Sequence, residues 1–302
     1  MEETRMEEKG DEIRFLTPFD RDFPEKLKYI PQPPGGIYVK GRLPDPDIPS
    51  VAIIGARANT EYGRKAAVEF ASRLARHGVQ IISGMARGID GIAQGAAVAE
   101  GGRSFGVLGS GINIVYPRSN AELFKKIVSS GGLISEYDPD MPARAELFPQ
   151  RNRIIAGLCD ILLVIEARVQ SGTAITVRFA LEQGRDVFAV PGRISDPLSV
   201  GCNALIADGA GVASRPEDIL EALGLIPKRG ETKTEVFFKT GLKGLSPRLA
   251  AVVRCLDYNP VGVDELARRT GMEVQEVMAA LLELELKGMA MRCGASHYIK
   301  KI

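Results

Sequence analysis

The sequence predicts an α/β protein: a Rossmann-like, doubly wound and mostly parallel sheet, followed by a small C-terminal winged-helix domain. Short apolar runs without polar alternation recur along the first two thirds of the chain, the pattern of strands covered on both faces. Amphipathic stretches alternate with those runs, as helical crossovers between parallel strands require. Beyond a polar break, three closely spaced helical stretches lead into a short β-rich end, the order of a winged helix.

Taken in order, residues 1–15 read as a disordered leader, rich in Glu and poor in apolar residues. Residues 16–48, with Pro24, Pro31, Pro33 and Pro34, read as an N-terminal extension packed on the main domain. The main domain is expected over 49–225. Its strands fall at 51–54, 79–82, 104–108, 133–135, 161–165, 187–190 and 211–213, and its helices include 61–76, 121–129, 173–183 and 216–223. His77 precedes Gly78 where the first of these helices should end, and a capping role is expected for it. A polar, cation-leaning linker, with an apolar cluster at Val236, Phe237 and Phe238, is expected over 226–244. The winged-helix domain then covers 245–302, with helices at 247–256, 263–270 and 274–287, Gly271 in the turn between the last two, and a wing over 289–299.

Composition narrows the function classes. The chain has 302 residues, 45% hydrophobic and 25% charged, an ordinary globular balance. A formal net charge of +1 means that any nucleic-acid surface must be a local groove rather than a basic exterior. Cys159, Cys202, Cys255 and Cys293 lie far apart, as free thiols in a reducing compartment do, and two histidines are too few for a His-rich metal site. Neither a signal peptide nor an apolar run of membrane-spanning length is present, so a cytoplasmic protein without membrane, metal or cofactor is expected.

The informative motifs sit where strands hand over to helices. After the first main-domain strand comes Gly55-Ala56-Arg57, not G-x-G-x-x-G, and no G-x-x-x-x-G-K-[ST] occurs, which argues against dinucleotide and P-loop sites. The loop Ser83-Gly84-Met85-Ala86-Arg87-Gly88-Ile89-Asp90 could present backbone donors and Arg87 to an anion, or serve only as a turn with Asp90 as helix cap. In Phe148-Pro149-Gln150-Arg151-Asn152-Arg153, Pro149 marks a first helical turn that also carries two arginines. Cations at that end are disfavoured by about 0.3–1 kcal/mol each, so an anion is expected to offset them. The alternative is that Arg151 and Arg153 pair with Asp138, Asp140 or Glu146. Phe148 could stack on a base. Ser171-Gly172-Thr173 adds another helix start.

These segments, with Ser135-Glu136-Tyr137 and the stretch from Glu182 to Gly192, resemble the DNA-processing protein A family (DprA, also called Smf), in matching order from about Phe23 to Ala213. The resemblance implies single-stranded DNA binding without nucleotide hydrolysis, a homodimer, and loading of a RecA-type recombinase during natural transformation. It assigns Arg57, Arg87, Phe148, Arg151, Asn152 and Arg153 to the groove. Ser83, Gly84, Gly88, Ser171, Gly172 and Thr173 complete the expected site, and no catalytic residue is expected. Gln94 stands where the family often has histidine, and the stretch before Phe15 is too short for the sterile-alpha-motif-like domain of many members.

Two other functions compete. Nucleotide phosphoribohydrolases share the fold and a Gly-Thr helix start, but their catalytic Glu falls here on Thr176, leaving Glu136 and Glu166 as remaining acids. A winged-helix transcriptional regulator would read DNA through its second helix, which here begins Met272-Glu273-Val274-Gln275-Glu276 and continues to Glu283 and Glu285. Those carboxylates repel phosphates, so a protein-contact or dimer-packing module is expected instead.

Overall fold

The computed structural model describes residues 12–227, 245–257, 260–294 and 296–300. The chain divides into two compact units, 1–229 and 230–302. Most of the expected leader and, within the expected linker, 228–244 lie outside the described residues.

The first unit is built on a nine-stranded sheet. Its strands are β1 (Ile13–Leu16), β2 (Ile37–Gly41), β3 (Ser50–Ile54), β4 (Gln80–Ser83), β5 (Ser104–Leu108), β6 (Gly132–Ser135), β7 (Ile161–Val164), β8 (Asp186–Ala189) and β9 (Gly211–Val212). They lie in the order β1-β2-β6-β5-β4-β3-β7-β8-β9. From β6 to β9 all neighbours are parallel, with Ala52 opposite Ile82 on one side and Leu162 on the other. The connecting helices are α1 (Glu25–Lys28), α2 (Glu61–Arg76), α3 (Ile89–Ala99), α4 (Ala121–Ser130), α5 (Leu147–Leu158), α6 (Gly172–Glu182), α7 (Val200–Ala207) and α8 (Pro216–Ala222).

The unbroken apolar strands are explained by their burial on both faces. Val51, Ile53, Ile81, Ile161 and Leu163 point to one core with α2, α3 and α8, through Phe70, Leu74, Ala93 and Ile219. The alternate residues Ala52, Ile54, Ile82, Leu162 and Val164 point to the other, with Ile154, Ile155, Leu158 and Val177 of α5 and α6. Burying a side chain of this size contributes about 1.5–3 kcal/mol. His77 ends α2 as its C-cap, donating its backbone N–H to Leu74 and Ala75, and Gly78 follows at φ 78°.

Two sequence expectations change at the amino end. Residues 13–15, assigned to the disordered leader, form β1 together with Leu16, paired with β2 from Ile13–Lys40 to Leu16–Ile37. The stretch 16–48, expected as an extension, supplies β2, which is hydrogen-bonded antiparallel to β6 with Val39 opposite Ile134. Val39 and Ile37 are fully buried, which fixes this register.

The second unit contains α9 (Pro247–Cys255), β10 (Val261–Gly262), α10 (Val263–Thr270), α11 (Val274–Leu286), β11 (Ala290–Arg292) and β12 (His297–Lys300). The strands form an antiparallel sheet in the order β10-β12-β11, the wing of a winged helix. Leu249, Val252, Leu266, Leu281 and Leu284 close its core. Gly271, at φ 68°, ends α10 in the left-handed conformation that a β-carbon disfavours.

Candidate nucleic-acid interface

The order of the sheet decides where a site can form. Successive crossovers run outward from β3 through β4 and β5 to β6, and the chain then returns to place β7 on the other side of β3. This reversal leaves a crevice beyond the carboxyl ends of β3 and β7. A cavity of about 730 Å³ occupies it, lined among others by Gly55, Arg57, Tyr116, Phe148, Arg151 and Arg168.

The cavity floor is set by Arg151. Its guanidinium is buried, donates from Nη1 to the carbonyl of Gly84 at 2.8 Å and to that of Val107, and sits beside Asp90. Gly84 is required here: a β-carbon would come within 2.7 Å of the guanidinium and 2.8 Å of the Asp90 carboxylate. Burial, with a smaller contribution from neighbouring Arg57, lowers the Arg151 pKa to about 10 against the pull of Asp90. Asp90 responds in the opposite sense, its pKa raised by burial more than Arg151 and the Gly84 amide lower it. Phe148 stands above this floor. The Arg57 guanidinium lies 5.4 Å from its ring centre and that of Arg151 5.8 Å, distances of cation–π contact. Tyr116, half exposed, brings its ring to 5.5 Å from that of Phe148.

The opposite wall is the start of α6. Ser171 occupies the N-cap position, yet its hydroxyl donates back to the Arg168 carbonyl at 3.0 Å and accepts nothing from the helix. The first amides of α6 therefore face the cavity without a side-chain cap, and no acid lies in that turn. Such an end favours an anion. Asn152 lies between the walls, its amide 3.5 Å from the Gly172 carbonyl. Three arginines and the engaged carboxylate of Asp90 are the charged groups of the lining, so the crevice is cationic.

Of the expected site residues, Arg57, Phe148, Arg151, Asn152, Ser171, Gly172 and Thr173 line this cavity together. Others do not. Arg153 is buried on the far side of α5, clamped by Glu136 at 2.6 and 2.8 Å and donating to the carbonyl of Gln32 at 2.8 Å. Two residues along a helix are about 200° apart, so Arg151 and Arg153 cannot face one groove. The acid that takes Arg153 is Glu136, not Asp138, Asp140 or Glu146. Ser83 is buried and donates to the Ile53 carbonyl, and the Gly84 amide donates to Asp90, so neither offers a donor to a ligand. Asp90 does not cap α3, whose N-cap is Gly88. Gly88, at φ 84°, lets the loop press on its neighbour, where a β-carbon would meet the carbonyls of Ala56 and Arg57 at 2.3 and 2.6 Å. Arg87 is exposed and outside the lining.

Tyr116 and Arg168 were missed in the sequence. Tyr116 sits in the loop after β5, and Arg168 two residues past a buried Glu, positions that become neighbours only through the sheet order. The candidate acids of a hydrolase are also placed. Glu166 is fully buried, accepting from the Thr60 amide at 3.0 Å and from its hydroxyl. Glu136 is held by Arg153, and neither lines the cavity, whereas Thr176 does. Gln94 is buried, bridging the Met85 amide and the Phe105 carbonyl, which supports the left-handed φ of 55° at Met85. Among the described residues, no cluster of His, Cys, Asp and Glu suits a metal ion, and no helix is long and apolar enough to cross a membrane.

Comparison with known proteins follows this geometry. Residues 14–224 match the family described as DNA recombination-mediator protein A, and residues 239–295 match the DprA winged helix domain. Over 279 residues the chain is 41% identical to Protein Smf of Escherichia coli K12, covering 90% of this chain and 74% of that one. Among solved structures it resembles DNA processing protein A (DprA) of Streptococcus pneumoniae, with TM-score 0.65, 36% identity, and 73% and 77% of the two chains covered. It also resembles DNA processing protein A of Helicobacter pylori, studied for its single-stranded DNA binding mode, with TM-score 0.63, 28% identity, and 70% and 96% covered.

Proposed function

The chain belongs to the DNA recombination-mediator protein A family, and from that premise we propose that it binds single-stranded DNA in the crevice between β3 and β7. In this reading it acts as a cytoplasmic homodimer without chemical catalysis, protecting incoming DNA in natural transformation and handing it to a RecA-type recombinase. The observation that carries DNA binding is the stack of Arg57, Phe148 and Arg151 beside the uncapped start of α6. Guanidinium groups and helix amides suit phosphate oxygens, and the aromatic pair Phe148 and Tyr116 offers faces on which unstacked bases can lie. A duplex keeps its bases stacked inside and cannot use those faces, so single strands are preferred. The lining supports binding over hydrolysis, because its carboxylate, Asp90, is taken up by the Gly84 amide and Arg151.

Fluorescence anisotropy with labelled oligo(dT) and with the matching duplex tests this reading. Phe148→Ala should lose about 1–3 kcal/mol of single-strand affinity, roughly five- to 150-fold. Equal affinity for the duplex, or full affinity in Phe148→Ala, would defeat it. Adding the recombinase to protein-coated strands tests the loading step separately. A coated strand that takes up recombinase no faster than naked DNA would remove that step and leave the binding intact.

A further inference from the structure

The exposed face of α11 has a composition unlike that of a DNA-reading helix and unlike that of an ordinary solvated one. Val277, Ala280, Leu281 and Leu284 fill the core of the second unit. On the side turned away from that core, Val274, Met278, Leu282 and Leu286 are 43%, 45%, 59% and 82% exposed. They recur every four residues and so form one stripe about 18 Å long. The charged residues of α11 are three carboxylates and no cation. Around Leu282 and Leu286 the stripe is flanked by Glu283 on one side and Glu285 on the other, whereas Glu276, two residues from both Val274 and Met278, points to the opposite side of the helix. Their engagements are local: Glu276 accepts from the Glu273 amide at 3.2 Å, Glu285 from the Arg292 amide at 3.4 Å, and Glu283 stands 3.9 Å from Arg248 and from Lys287.

An apolar stripe with an acidic rim selects its partner by charge. Nucleic acid brings phosphates against the carboxylates and has no apolar strip to cover the leucines. A second α11 brings an identical acidic rim against this one. We propose that the solvent face of α11 is a docking surface for an amphipathic helix of another protein, whose apolar stripe is flanked by Lys and Arg. Such a helix covers Met278, Leu282 and Leu286 with its own apolar residues and places its cations over Glu283 and Glu285. This inference does not depend on the crevice of the first unit.

The test uses the full chain and a labelled synthetic helical peptide of about 18 residues, with leucines along one stripe and lysines or arginines beside it. Two control peptides keep the stripe with glutamates beside it, or keep the cations with serines in the stripe. Anisotropy should show binding of the first peptide and not of the controls. Leu282→Ser/Leu286→Ser and Glu283→Gln/Glu285→Gln should each weaken it about tenfold or more, while circular dichroism and oligo(dT) affinity stay unchanged. Binding that ignores both double substitutions overturns the proposal, as does equal binding of the glutamate-flanked peptide. A sedimentation mass that falls from dimer to monomer in Leu282→Ser/Leu286→Ser assigns the stripe to a second copy instead. Duplex DNA affinity lost in the same variant assigns it to nucleic acid.

Discussion

Two arginines on one helical turn have different fates, and the difference is geometric. Arg151 faces the crevice and Arg153 the segment around Gln32, because residues two apart on α5 point to nearly opposite sides. Substitution should separate binding from stability. Arg57→Ala, at an exposed residue, should weaken oligo(dT) binding with an unchanged urea midpoint. Arg153→Ala leaves Glu136 without its cation at a site where the arginine side chain is only 9% exposed. A loss of about 3 kcal/mol in urea denaturation is expected there. An unchanged urea midpoint in Arg153→Ala would contradict the structural role given to that ion pair. The thiols divide in a similar way. Burial pushes Cys159 and Cys202 up to about 12, so neither is a thiolate at neutral pH, whereas Cys293 is exposed. Under native conditions, mass spectrometry after brief alkylation should find the label on Cys293 and not on Cys159 or Cys202 until denaturant is added.

At the scale of elements, the legible parts were those whose pattern is local. The strands β3, β4, β5 and β7 are unbroken apolar runs, and α2 and α11 have clear apolar faces, so their positions follow from periodicity. β1 and β2 were not legible because each is short, flanked by Pro or Gly, and stabilised by partners distant in sequence. α3 carries Gly91 and Gly95, which lower its helix propensity; packing against α2 and β4 stabilises it. In the crevice, the segments carrying Arg57 and Phe148 were visible as motifs, but which arginine faces inward depended on helical phase. The seam of α1 with the start of β3 and β7 gives a pH test. Lys26 meets Asp160 at 2.6 Å, and Asp160 also accepts from the Ser50 amide at 2.9 Å. Burial alone would raise the Asp160 pKa, but Lys26 and Ser50 together outweigh it and hold the carboxyl below its ordinary 3.8. A carboxylate whose folded pKa is lowered stabilises the protein above the unfolded value, and that contribution disappears as pH falls through the folded one. Wild type should therefore exceed Asp160→Asn by about 1 kcal/mol near neutral pH, a modest figure for a partly exposed pair. The gap should close as the solution is acidified below the carboxylate range, as read from urea midpoints at each pH. A gap that persists in acid would show that Asp160 does not act through its charge.

For the whole molecule, a net charge of +1 coexists with a crevice that gathers Arg57, Arg151 and Arg168. Affinity for a polyanion therefore comes from a few placed cations and not from the general surface. Single-strand binding should fall with salt at a log–log slope of about −0.7 per phosphate neutralised, so near −2 for three arginines. Arg57→Ala/Arg168→Ala should bring it towards about −0.7. A much steeper wild-type slope would mean that the strand runs over further cations outside the crevice, with exposed Arg87 the first to examine. The same localisation fixes what each unit contributes. Every residue lining the crevice falls before 227, and the sheet there is covered on both faces by helices of the same unit. A chain ending at residue 227 retains both of those cores, so it should unfold in one cooperative transition. It should also bind oligo(dT) within about twofold of the full chain, since every charge and ring of the crevice is retained. The charged residues within α11 of the second unit are all carboxylates, so that helix adds no cation to the binding. Loss of single-strand affinity in a truncated chain that still melts cooperatively would show that the second unit supplies DNA contacts or holds the binding form together. The crevice would then be only part of the site.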